Sequence, residues 1–286
     1  MTETPDWQMD THIAHPARVY DFYLGGKDNF EADREAARHG LEVLPEMPVY
    51  ARANRAFLVR AVRFLYDQGI RQFLDIGAGL PTSPNVHEVA RPGARVVYVD
   101  NDPMVFLHAE ALMAKDKSTS VIRADLRDTA EVLRQSGELL DFSQPVALLL
   151  IATLHHINDE DDPAGIVTAY TDALVPGSYL AMSHFTSEFA PERLQLASER
   201  AAKRGVTIRA RSKDAIAAMF GGRPLIDPGL VLVSRWRPED DAPDPNADRA
   251  WAFGGIAPLQ GSGAAAHGGL ITGVFAQETA RYFCSA

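Results

Sequence analysis

Two glycines one residue apart, Gly77 and Gly79, form the pattern in this sequence with the clearest chemical meaning, because an apolar stretch of strand length runs directly into them. Glycine has no Cβ, so it allows a sharp backbone turn and lets a ligand lie against the main chain. A glycine turn after a parallel strand is where open α/β sheets bind nucleotide-like molecules. We therefore predict that Gly77, Ala78 and Gly79 contact a cofactor. The alternative is a tight strand-to-helix connection that binds nothing.

The residues on either side of this turn favour S-adenosylmethionine (SAM) over NAD as the cofactor. Asp75 ends the preceding strand, and an acidic rim suits the cationic sulfonium and ammonium groups of SAM. Thr82 occupies the position at which the dinucleotide fingerprint has glycine or alanine. SAM also lacks the phosphate that a helix N-terminus would bind. Asp75 is therefore predicted to belong to a SAM site, with an NAD-dependent oxidoreductase as the alternative.

A second acid is predicted at the end of the next strand, where the ribose of an adenosine would lie. Asp100 follows Gly79 by 21 residues, and its carboxylate can accept charge-assisted hydrogen bonds from both ribose hydroxyls. Asn101 directly follows it and is included in the predicted cofactor site. The alternative for Asp100 is a solvated strand-end acid, which is less favoured because the residue coincides with the glycine turn.

A third acid, Asp125, follows the third predicted strand. Its carboxylate can accept a hydrogen bond from the amino group of adenine, and the backbone of Leu126 can contact the edge of the ring. Alternatively, Asp125 caps the helix that follows, a role that Asp128 could fill equally well. Three acids at three successive strand ends form a more specific pattern than any one of them alone.

His155 and His156 end the fourth predicted strand, beside the expected position of the transferred group. An imidazole titrates near neutral pH, so either residue could act as a general base. Packing in the pocket wall is an equally supported alternative. A metal site would have to recruit acids from residues 159–162, but that run more simply begins the next helix and complements its dipole. No metal is predicted.

An alternation of strand and helix patterns positions these residues. Strands are predicted at 72–76, 94–100, 120–124, 145–154 and 178–184, and helices at 103–115, 129–137, 162–174, 190–204 and 213–220. Residues 230–236 and 251–256 are predicted to form an antiparallel hairpin at the end of the sheet. This order indicates an α/β fold with a mainly parallel, doubly wound sheet.

The predicted elements divide the chain into three parts. Three helices precede the sheet, at residues 16–24, 30–44 and 49–68, and form an N-terminal helical lid or extension over residues 1–68. The cofactor-binding domain spans residues 69–257. Residues 258–286 form a C-terminal extension to which no role is assigned.

The end of the first helix offers candidates for contacts with the substrate. Gly26 belongs to the glycine pair that ends this helix, and Tyr20, Lys27 and Asn29 lie close to it in the sequence. We predict that these four residues belong to a lid over the cofactor or the substrate. The alternative is ordinary helix termination by glycine.

The composition limits the class of protein. The 286 residues carry a formal net charge of −10 and no basic stripe, which argues against sequence-independent nucleic-acid binding. The single cysteine, Cys284, excludes an intramolecular disulfide and a cysteine zinc site. No apolar run approaches the length of a membrane span, and residues 1–10 are polar and acidic, unlike a secretory signal. A cytoplasmic protein without membrane or nucleic-acid partners is expected, and no oligomeric state is predicted.

Several of these segments together resemble one known family. The longest is ARVYDFYLGGKDNF at residues 17–30, and further matching segments lie at 54–58, 72–82, 96–103, 124–128 and 153–157. Over about residues 14–256 the chain is similar to the actinobacterial S-adenosyl methyltransferase family, long known only as a domain of unknown function. The resemblance implies a class I, Rossmann-like methyltransferase fold that binds SAM.

The resemblance also implies roles for individual residues, but it supplies no substrate. It implies that the cofactor loop is formed by Asp75, Gly77 and Gly79. It also implies that Asp100 contacts the ribose and that Asp125 and Leu126 contact the adenine. Residues 258–286 depart from the family pattern, since family members typically end in a short basic tail soon after the segment that matches residues 254–256.

We therefore predict a SAM-dependent methyltransferase that acts on a small-molecule acceptor, with secondary metabolism as the expected setting. The chemistry would be an in-line displacement at the sulfonium methyl, and most of the catalysis would come from holding the nucleophile and the methyl group in line. The alternatives are an NAD-dependent oxidoreductase and a SAM-binding regulatory protein without turnover.

Overall fold

The strands of the described chain form one seven-stranded sheet. The computed structural model describes residues 10–90, 93–113, 117–239 and 246–260. The strands are β1 (Gln72–Ile76), β2 (Arg95–Asp100), β3 (Thr119–Arg123), β4 (Ala147–Ile151), β5 (Tyr179–Phe185), β6 (Val231–Leu232) and β7 (Ala252–Pro258). Their order is β3-β2-β1-β4-β5-β7-β6, in which β1 to β5 are parallel and β7 is antiparallel to both of its neighbours. The predicted fold class, a mainly parallel sheet with an antiparallel C-terminal end, is confirmed.

Helices connect the parallel strands, as their crossover connections require. The helices are α1 (Pro16–Leu24), α2 (Glu31–Val43), α3 (Met47–Asp67), α4 (Val86–Val89), α5 (Pro103–Met113), α6 (Thr129–Ser136), α7 (Pro163–Asp172), α8 (Pro191–Ala202) and α9 (Lys213–Ala218). Proline lies in the first turn of α1, α3, α7 and α8, where its missing N–H leaves no hydrogen bond unmade. Side-chain caps from Asp128 and Ser212 begin α6 and α9.

Both faces of the sheet are buried, which explains the continuous apolar runs in β1 and β4. Successive strand residues point to opposite faces. Phe73 belongs to the apolar cluster that contains Phe57 and Leu65 of α3, whereas Leu74 belongs to the cluster that contains Tyr170 of α7. The N-terminal helices therefore cover one face of the sheet and supply part of its core.

Three local features differ from the prediction. The fourth strand ends at Ile151, because Ala152 adopts a positive φ of 58° and Leu154–His156 form a 3₁₀ turn. The predicted hairpin is present but short, since β6 has two residues and Val233–Arg235 continue as a 3₁₀ turn. The four-residue α4 is absent from the prediction, and so short a helix carries no periodic signal in the sequence.

The described residues contain no helix that is both long and apolar enough to cross a membrane. Of the predicted extension at 258–286, residues 261–286 lie outside the described residues.

Candidate functional site

A cavity of about 440 Å³ lies over the carboxyl ends of the neighbouring strands β3, β2, β1 and β4. This is the edge of an open α/β sheet at which ligands bind, and the volume falls in the range of small-molecule sites, roughly 300–1,000 Å³. Its walls are the segments that follow these strands, together with residues from the N-terminal helices. All the residues predicted to bind the cofactor line it, namely Asp75, Gly77, Ala78, Gly79, Asp100, Asn101, Asp125 and Leu126.

The glycine turn after β1 is fixed both by backbone conformation and by packing. Gly77 and Gly79 have φ values of +73° and +67°, a region that residues with a Cβ rarely adopt. A Cβ on Gly77 would lie 2.5 Å from Cγ2 of Thr153, whereas a Cβ on Gly79 would meet nothing within 4 Å. The amides of Gly77 and Ala78 donate to the carbonyl of Val99 in β2. The protein's own packing therefore requires glycine at position 77, and Gly79 leaves open space beside the cavity.

Asp100 holds the end of β2 against the glycine turn. One carboxylate oxygen accepts a hydrogen bond from the Gly79 amide at 2.9 Å, and the other accepts one from the Asp102 amide at 2.9 Å. The residue is 8% exposed, and this burial raises the pKa of the carboxyl, although the two amide hydrogen bonds oppose the shift. Each oxygen keeps a second lone pair, so Asp100 can accept further hydrogen bonds from a ligand.

Asp125 and Leu126 form the wall of the cavity at the end of β3. The two oxygens of Asp125 accept hydrogen bonds from Nε and Nη2 of Arg127 at 2.9 and 2.6 Å, and this partner lowers the pKa of the carboxyl. The residue that caps α6 is Asp128, which accepts from the Glu131 amide. The capping alternative for Asp125 is therefore wrong. The amide of Leu126 donates to no other described residue and is left for a ligand.

Asp75, the penultimate residue of β1, is a buried carboxyl with 5% of its surface exposed. Burial raises its pKa to about 7, an effect that the charge of Arg55 opposes and the charge of Asp100 increases. Arg55 lies on α3 and lines the same cavity. It is absent from the residues predicted to form the site, although it stands in one of the segments that carry the family resemblance.

His156 lines the cavity at the end of β4, and a hydrogen bond defines its tautomer. Nδ1 lies 2.7 Å from the carbonyl oxygen of Thr207. A carbonyl can only accept, so Nδ1 carries the proton and Nε2 keeps its lone pair. Burial lowers the pKa of His156 to about 4, with the Thr207 hydrogen bond opposing the shift. The imidazole is therefore neutral at physiological pH, with Nε2 as its remaining acceptor.

His155, the other predicted candidate, does not line the cavity. It is 5% exposed, and its ring lies 5.7 Å from that of His184, 6.2 Å from Phe185 and 6.4 Å from Tyr50. Burial, more than the neighbouring charges, holds its pKa well below the ordinary value. The position of His155 matches packing behind the wall of the cavity and not contact with a substrate.

Among the four predicted lid residues, Tyr20 is the one that reaches the cavity. Its hydroxyl donates to the Ala51 carbonyl at 2.9 Å and accepts from the Asn54 side-chain amide at 3.1 Å. The side-chain oxygen of Asn54 accepts in turn from the hydroxyl of Ser183 in β5 at 2.6 Å. Burial raises the pKa of Tyr20 to about 12. These contacts hold the ring as a neutral part of the wall.

Gly26, Lys27 and Asn29 lie outside the lining of the cavity. The side chain of Asn29 and the amide of Asp28 both donate to Asp21 Oδ2, at 2.7 and 3.0 Å. A Cβ on Gly26 would fall 1.9 Å from the Asp21 carboxylate, and Lys27 is exposed. The break after α1 is thus a helix end at which Gly25 adopts a φ of +83° and Asp21 accepts the hydrogen bonds, and the lid role of these residues stays a prediction.

Residues 13–17, which we call the N-terminal strap, line the cavity although none of them is among the predicted site residues. His15 attaches the strap to the loop after β2, with Nδ1 2.9 Å from Asp102 and Nε2 3.1 Å from Asn101 Oδ1. Burial alone would lower the pKa of His15, but the hydrogen bond to Asp102 and the charges of Asp102 and Asp100 raise it. A histidine directly before a proline that begins a helix is a sequence signal too weak to have identified this role.

Among the described residues, no three or more His, Cys, Asp or Glu side chains are arranged to hold a metal ion. The acidic run at residues 159–162 leads into α7, where Asp162 accepts a hydrogen bond from the Gly165 amide at 3.0 Å. Within that run, Asp162 therefore caps α7, whereas Asp159–Asp161 form a separate 3₁₀ turn before it.

Along the strand order β3-β2-β1-β4, the cavity presents groups that suit successive parts of SAM. A ligand lying across the strand ends would meet the Leu126 amide at β3 and the Asp100 carboxylate at β2. The amide can donate to a ring nitrogen of adenine, and the carboxylate can accept from ribose hydroxyls. The rest of such a ligand would then lie beside the ends of β1 and β4, near Asp75 and His156.

Comparisons with known proteins lead to the same family that the sequence resembles. A family model described as S-adenosyl methyltransferase matches residues 2–260. A crystal structure described as a putative methyltransferase from Thermobifida fusca YX is 41% identical, covers 88% of this chain and 96% of its own, and has a TM-score of 0.82. A duf574 family protein from Streptomyces avermitilis is 42% identical, with coverage of 88% and 99% and a TM-score of 0.83. The chain has no match among the curated proteins.

Proposed function

Because the chain belongs to the S-adenosyl methyltransferase family, we propose that its cavity holds SAM and that the protein transfers the methyl group to a small-molecule acceptor. The observation that carries this proposal is Asp100, a buried carboxylate fixed to the glycine turn with lone pairs left for a ligand. This is the group that a ribose needs at the second strand of such a sheet.

The proposal assigns each part of the adenosine to residues of one wall. Asp100 accepts hydrogen bonds from the ribose hydroxyls, with Asn101 beside it. The Leu126 amide donates to the adenine ring, and the remaining lone pair of Asp125 Oδ2 accepts from the adenine amino group. Gly79 lets the ligand lie against the turn, because no side chain occupies that space. When bound, SAM supplies a methyl group on a positively charged sulfur, which a nucleophile can attack.

The proposed acceptor side of the cavity is the wall at the end of β4. His156 presents a neutral imidazole, and Asn158 and Thr207 line the cavity next to it. Asn158 is held by a hydrogen bond from Arg209 at 3.1 Å. His156 can accept a hydrogen bond or a proton from the acceptor through Nε2. Its low pKa makes it a weak base, so it suits an acceptor whose proton is acidic or whose nucleophile carries no proton. Rate enhancement would come mainly from alignment.

A small acceptor is favoured by the dimensions and charge of the protein. The cavity has the volume of a small-molecule site and is covered by the N-terminal strap. The net charge of −10 disfavours polyanions such as nucleic acids. A cytoplasmic location and a role in secondary metabolism remain predictions from the sequence.

The test is the release of S-adenosylhomocysteine (SAH) from SAM in the presence of a cell extract divided by size. We expect SAH with the small-molecule fraction and none with the macromolecular fraction. His156→Ala should lower turnover without changing the affinity for SAH, since His156 is assigned to the acceptor side. Release of SAH with the macromolecular fraction alone would refute the small-molecule acceptor.

The same experiment separates the alternatives. A protein that binds SAM but releases no SAH with any fraction would be a regulatory SAM-binding protein. Binding of NAD in preference to SAM, measured by calorimetry, would favour the oxidoreductase, which the family membership argues against.

A further inference from the structure

Arg211 is a buried cation behind the acceptor side of the cavity, and the function proposed above gives it no role. The residue is 8% exposed. An arginine has five N–H donors, and Arg211 uses all of them. Nε and Nη2 donate to Asp159 Oδ1 at 3.0 and 2.6 Å. Nη2 also donates to the Ile157 carbonyl at 2.9 Å, and Nη1 donates to the Leu154 carbonyl at 3.1 Å and to Nε2 of His184 at 2.8 Å.

The backbone and the side chain of Arg211 both attach to the end of β5. Its amide donates to the Phe185 carbonyl at 3.2 Å, and its carbonyl accepts from the Ser187 amide at 3.0 Å. His184 Nδ1 lies 2.7 Å from the Phe185 carbonyl, which can only accept, so Nδ1 carries the proton and Nε2 accepts from Arg211. Burial lowers the pKa of His184 to about 3, and the charge of Arg211 acts in the same direction. Arg211 is therefore fixed to the sheet independently of its other contacts.

The other contacts of Arg211 hold the turn that carries His156. Leu154–His156 form a 3₁₀ turn after β4. Arg211 binds the carbonyls on either side of the two histidines, those of Leu154 and Ile157. A single 3₁₀ turn is short and has poor hydrogen-bond geometry of its own. The guanidinium therefore determines where this turn lies relative to the sheet.

The segment that ends at Arg211 also fixes the ring of His156. Nδ1 of His156 donates to the carbonyl of Thr207 at 2.7 Å, and the amide of Arg209 donates to the carbonyl of His155 at 2.7 Å. Residues 206–210 belong to no helix or strand. Arg211, which is bonded to β5, is therefore the point at which the position of this segment is set. Ring and backbone of His156 depend on it together.

We propose that Arg211 is a positioning residue for the methyl transfer, which places His156 Nε2 beside the acceptor through the carbonyls of Leu154 and Ile157. This positioning role rests on the proposed function, because it takes from it the role of His156 on the acceptor side. Arg211 does not line the cavity, so it acts only through the turn. A lysine would keep the charge, but its three donors on one nitrogen cannot span both carbonyls.

The experiment compares four full-length proteins, namely wild type, Arg211→Lys, His156→Ala and the double variant. SAH release from SAM is followed with the small-molecule fraction of a cell extract as the source of the acceptor. Arg211→Lys should release SAH about ten- to a hundred-fold more slowly, since a displacement of about 1 Å can cost a hundred-fold in rate. Its affinity for SAH, measured by calorimetry, should equal that of wild type. In the His156→Ala protein the same change should cause no further loss, because the residue through which it acts is missing.

The matched control is Arg60→Lys. Arg60 also donates to two backbone carbonyls, those of Val233 and Trp236, at 2.6 and 2.8 Å, but it does not line the cavity. This variant should keep the wild-type turnover.

A second readout needs no acceptor, because NMR of the ring nitrogens reports the tautomer of each histidine. His156 should show the Nδ1–H tautomer in wild type, since Thr207 accepts that proton. In Arg211→Lys the ring should exchange between both tautomers.

Several results would overturn the positioning role. Equal losses of turnover with and without His156 would show that Arg211 only stabilises the fold. A folded Arg211→Lys protein with the wild-type turnover or an unchanged His156 tautomer would also refute it. If Arg211→Lys does not fold, Asp159→Ala decides, since Asp159 binds the guanidinium from a side chain that is 76% exposed. Its turnover should fall in the presence of His156 and not in its absence, and wild-type turnover refutes the role. A wild-type protein that releases no SAH with any fraction would instead contradict the proposed function, on which the role rests.

Discussion

Asp100 is the residue on which cofactor affinity should depend most, since it connects the glycine turn to the proposed ribose site. Asp100→Asn keeps the size of the side chain but removes the charge that two hydroxyls would bind. We expect a loss of about 1.5–3 kcal/mol in the binding of SAH, or roughly ten- to a hundred-fold in affinity, measured by calorimetry. Asp128→Asn is the control, because Asp128 caps α6 outside the cavity. Equal affinity in wild type and a folded Asp100→Asn protein would disprove the ribose contact.

Gly77 should matter for folding as well as for binding, because the side chain of Thr153 occupies the place that a Cβ on Gly77 would take. Gly77→Ala adds a Cβ 2.5 Å from Thr153 at a φ of +73°, whereas Gly93→Ala has a similar φ penalty but no atom within 4 Å. We expect Gly77→Ala to lower the free energy of unfolding by about 1–3 kcal/mol more than Gly93→Ala, the usual cost of overpacking. Urea denaturation measures both.

The double variant Gly77→Ala with Thr153→Ala isolates the contact behind this expectation. Thr153→Ala removes the atoms that clash but also the hydrogen bonds from its hydroxyl to the carbonyls of Ile76 and Ile151, so Thr153→Ala alone is the reference. Relative to that reference, Gly77→Ala should cost less than it does in the wild-type protein. Similar losses for Gly77→Ala and Gly93→Ala would show that backbone strain alone governs the position.

The affinity for SAM should rise with pH over the range in which the carboxyl of Asp75 ionises. Its pKa of about 7 means that it is partly protonated near neutrality in the free protein. The ammonium group of SAM would bind the ionised carboxyl, so the affinity should increase as the pH rises from about 6 to about 8. The titratable and charged groups that act on it are Arg55 from α3 and Asp100 from β2, with Tyr98 of β2 also near.

The control for this pH profile is 5′-methylthioadenosine, which uses the ribose site but has no ammonium group. Its affinity reports any titration of Asp100, so the difference between the two profiles belongs to Asp75. Parallel profiles for the two ligands, measured by calorimetry in buffers of different ionisation enthalpy, would contradict the ammonium contact.

The N-terminal strap is the element that should respond to ligand. Residues 13–17 line the cavity, and His15 connects them to the loop after β2. On addition of SAH we expect the amides of residues 13, 14, 15 and 17 to exchange more slowly with solvent. Residues 25–29 should not change, since Asp21 already fixes that helix end without ligand. Protection confined to residues 25–29 would restore the lid that the sequence predicts there.

The sequence predicts the acids at the strand ends, but it does not predict the residues that the N-terminal segments add to the cavity, and the reason is physical. Asp75, Asp100 and Asp125 lie within two residues of the carboxyl ends of their strands, so parallel pairing alone brings them to one edge. His15 directly precedes α1 and Arg55 lies on α3, so their approach to that edge depends on how these two helices pack on the sheet. Periodicity identifies the apolar face of a helix, but it does not say which polar residue at the rim of that face points into the cavity.

At the scale of the whole molecule, the N-terminal helices share the apolar core on one face of the sheet with the strands. One apolar cluster contains Tyr23, Val43 and Tyr50 together with the strand residue Phe73. Burying one such side chain contributes about 1.5–3 kcal/mol. The few side chains that α1 and α2 bury are thus comparable with a typical total stability of roughly 5–15 kcal/mol.

An ionic network adds a second connection between these helices and the sheet domain. Arg18 of α1 is 5% exposed, with Nε 3.0 Å from Asp102 and Nη1 3.6 Å from Asp33 of α2. Replacing Arg18 alone, with the helices in place, would leave Asp102 buried without this partner, and breaking such a buried pair typically costs about 3–5 kcal/mol.

The last prediction follows from this shared core and concerns a chain that starts at Val49. Deleting α1 and α2 exposes the face of α3 and the sheet that they cover, so we expect no cooperative thermal transition and no binding of SAH. The control is a chain that starts at Asp10, which retains every described residue. It should melt in one transition, and SAH at a hundred times its Kd should stabilise it by about 2.7 kcal/mol. A shortened chain that melts cooperatively and still binds 5′-methylthioadenosine would show that residues 1–48 are a separable lid, because the adenosine site would then be complete without them.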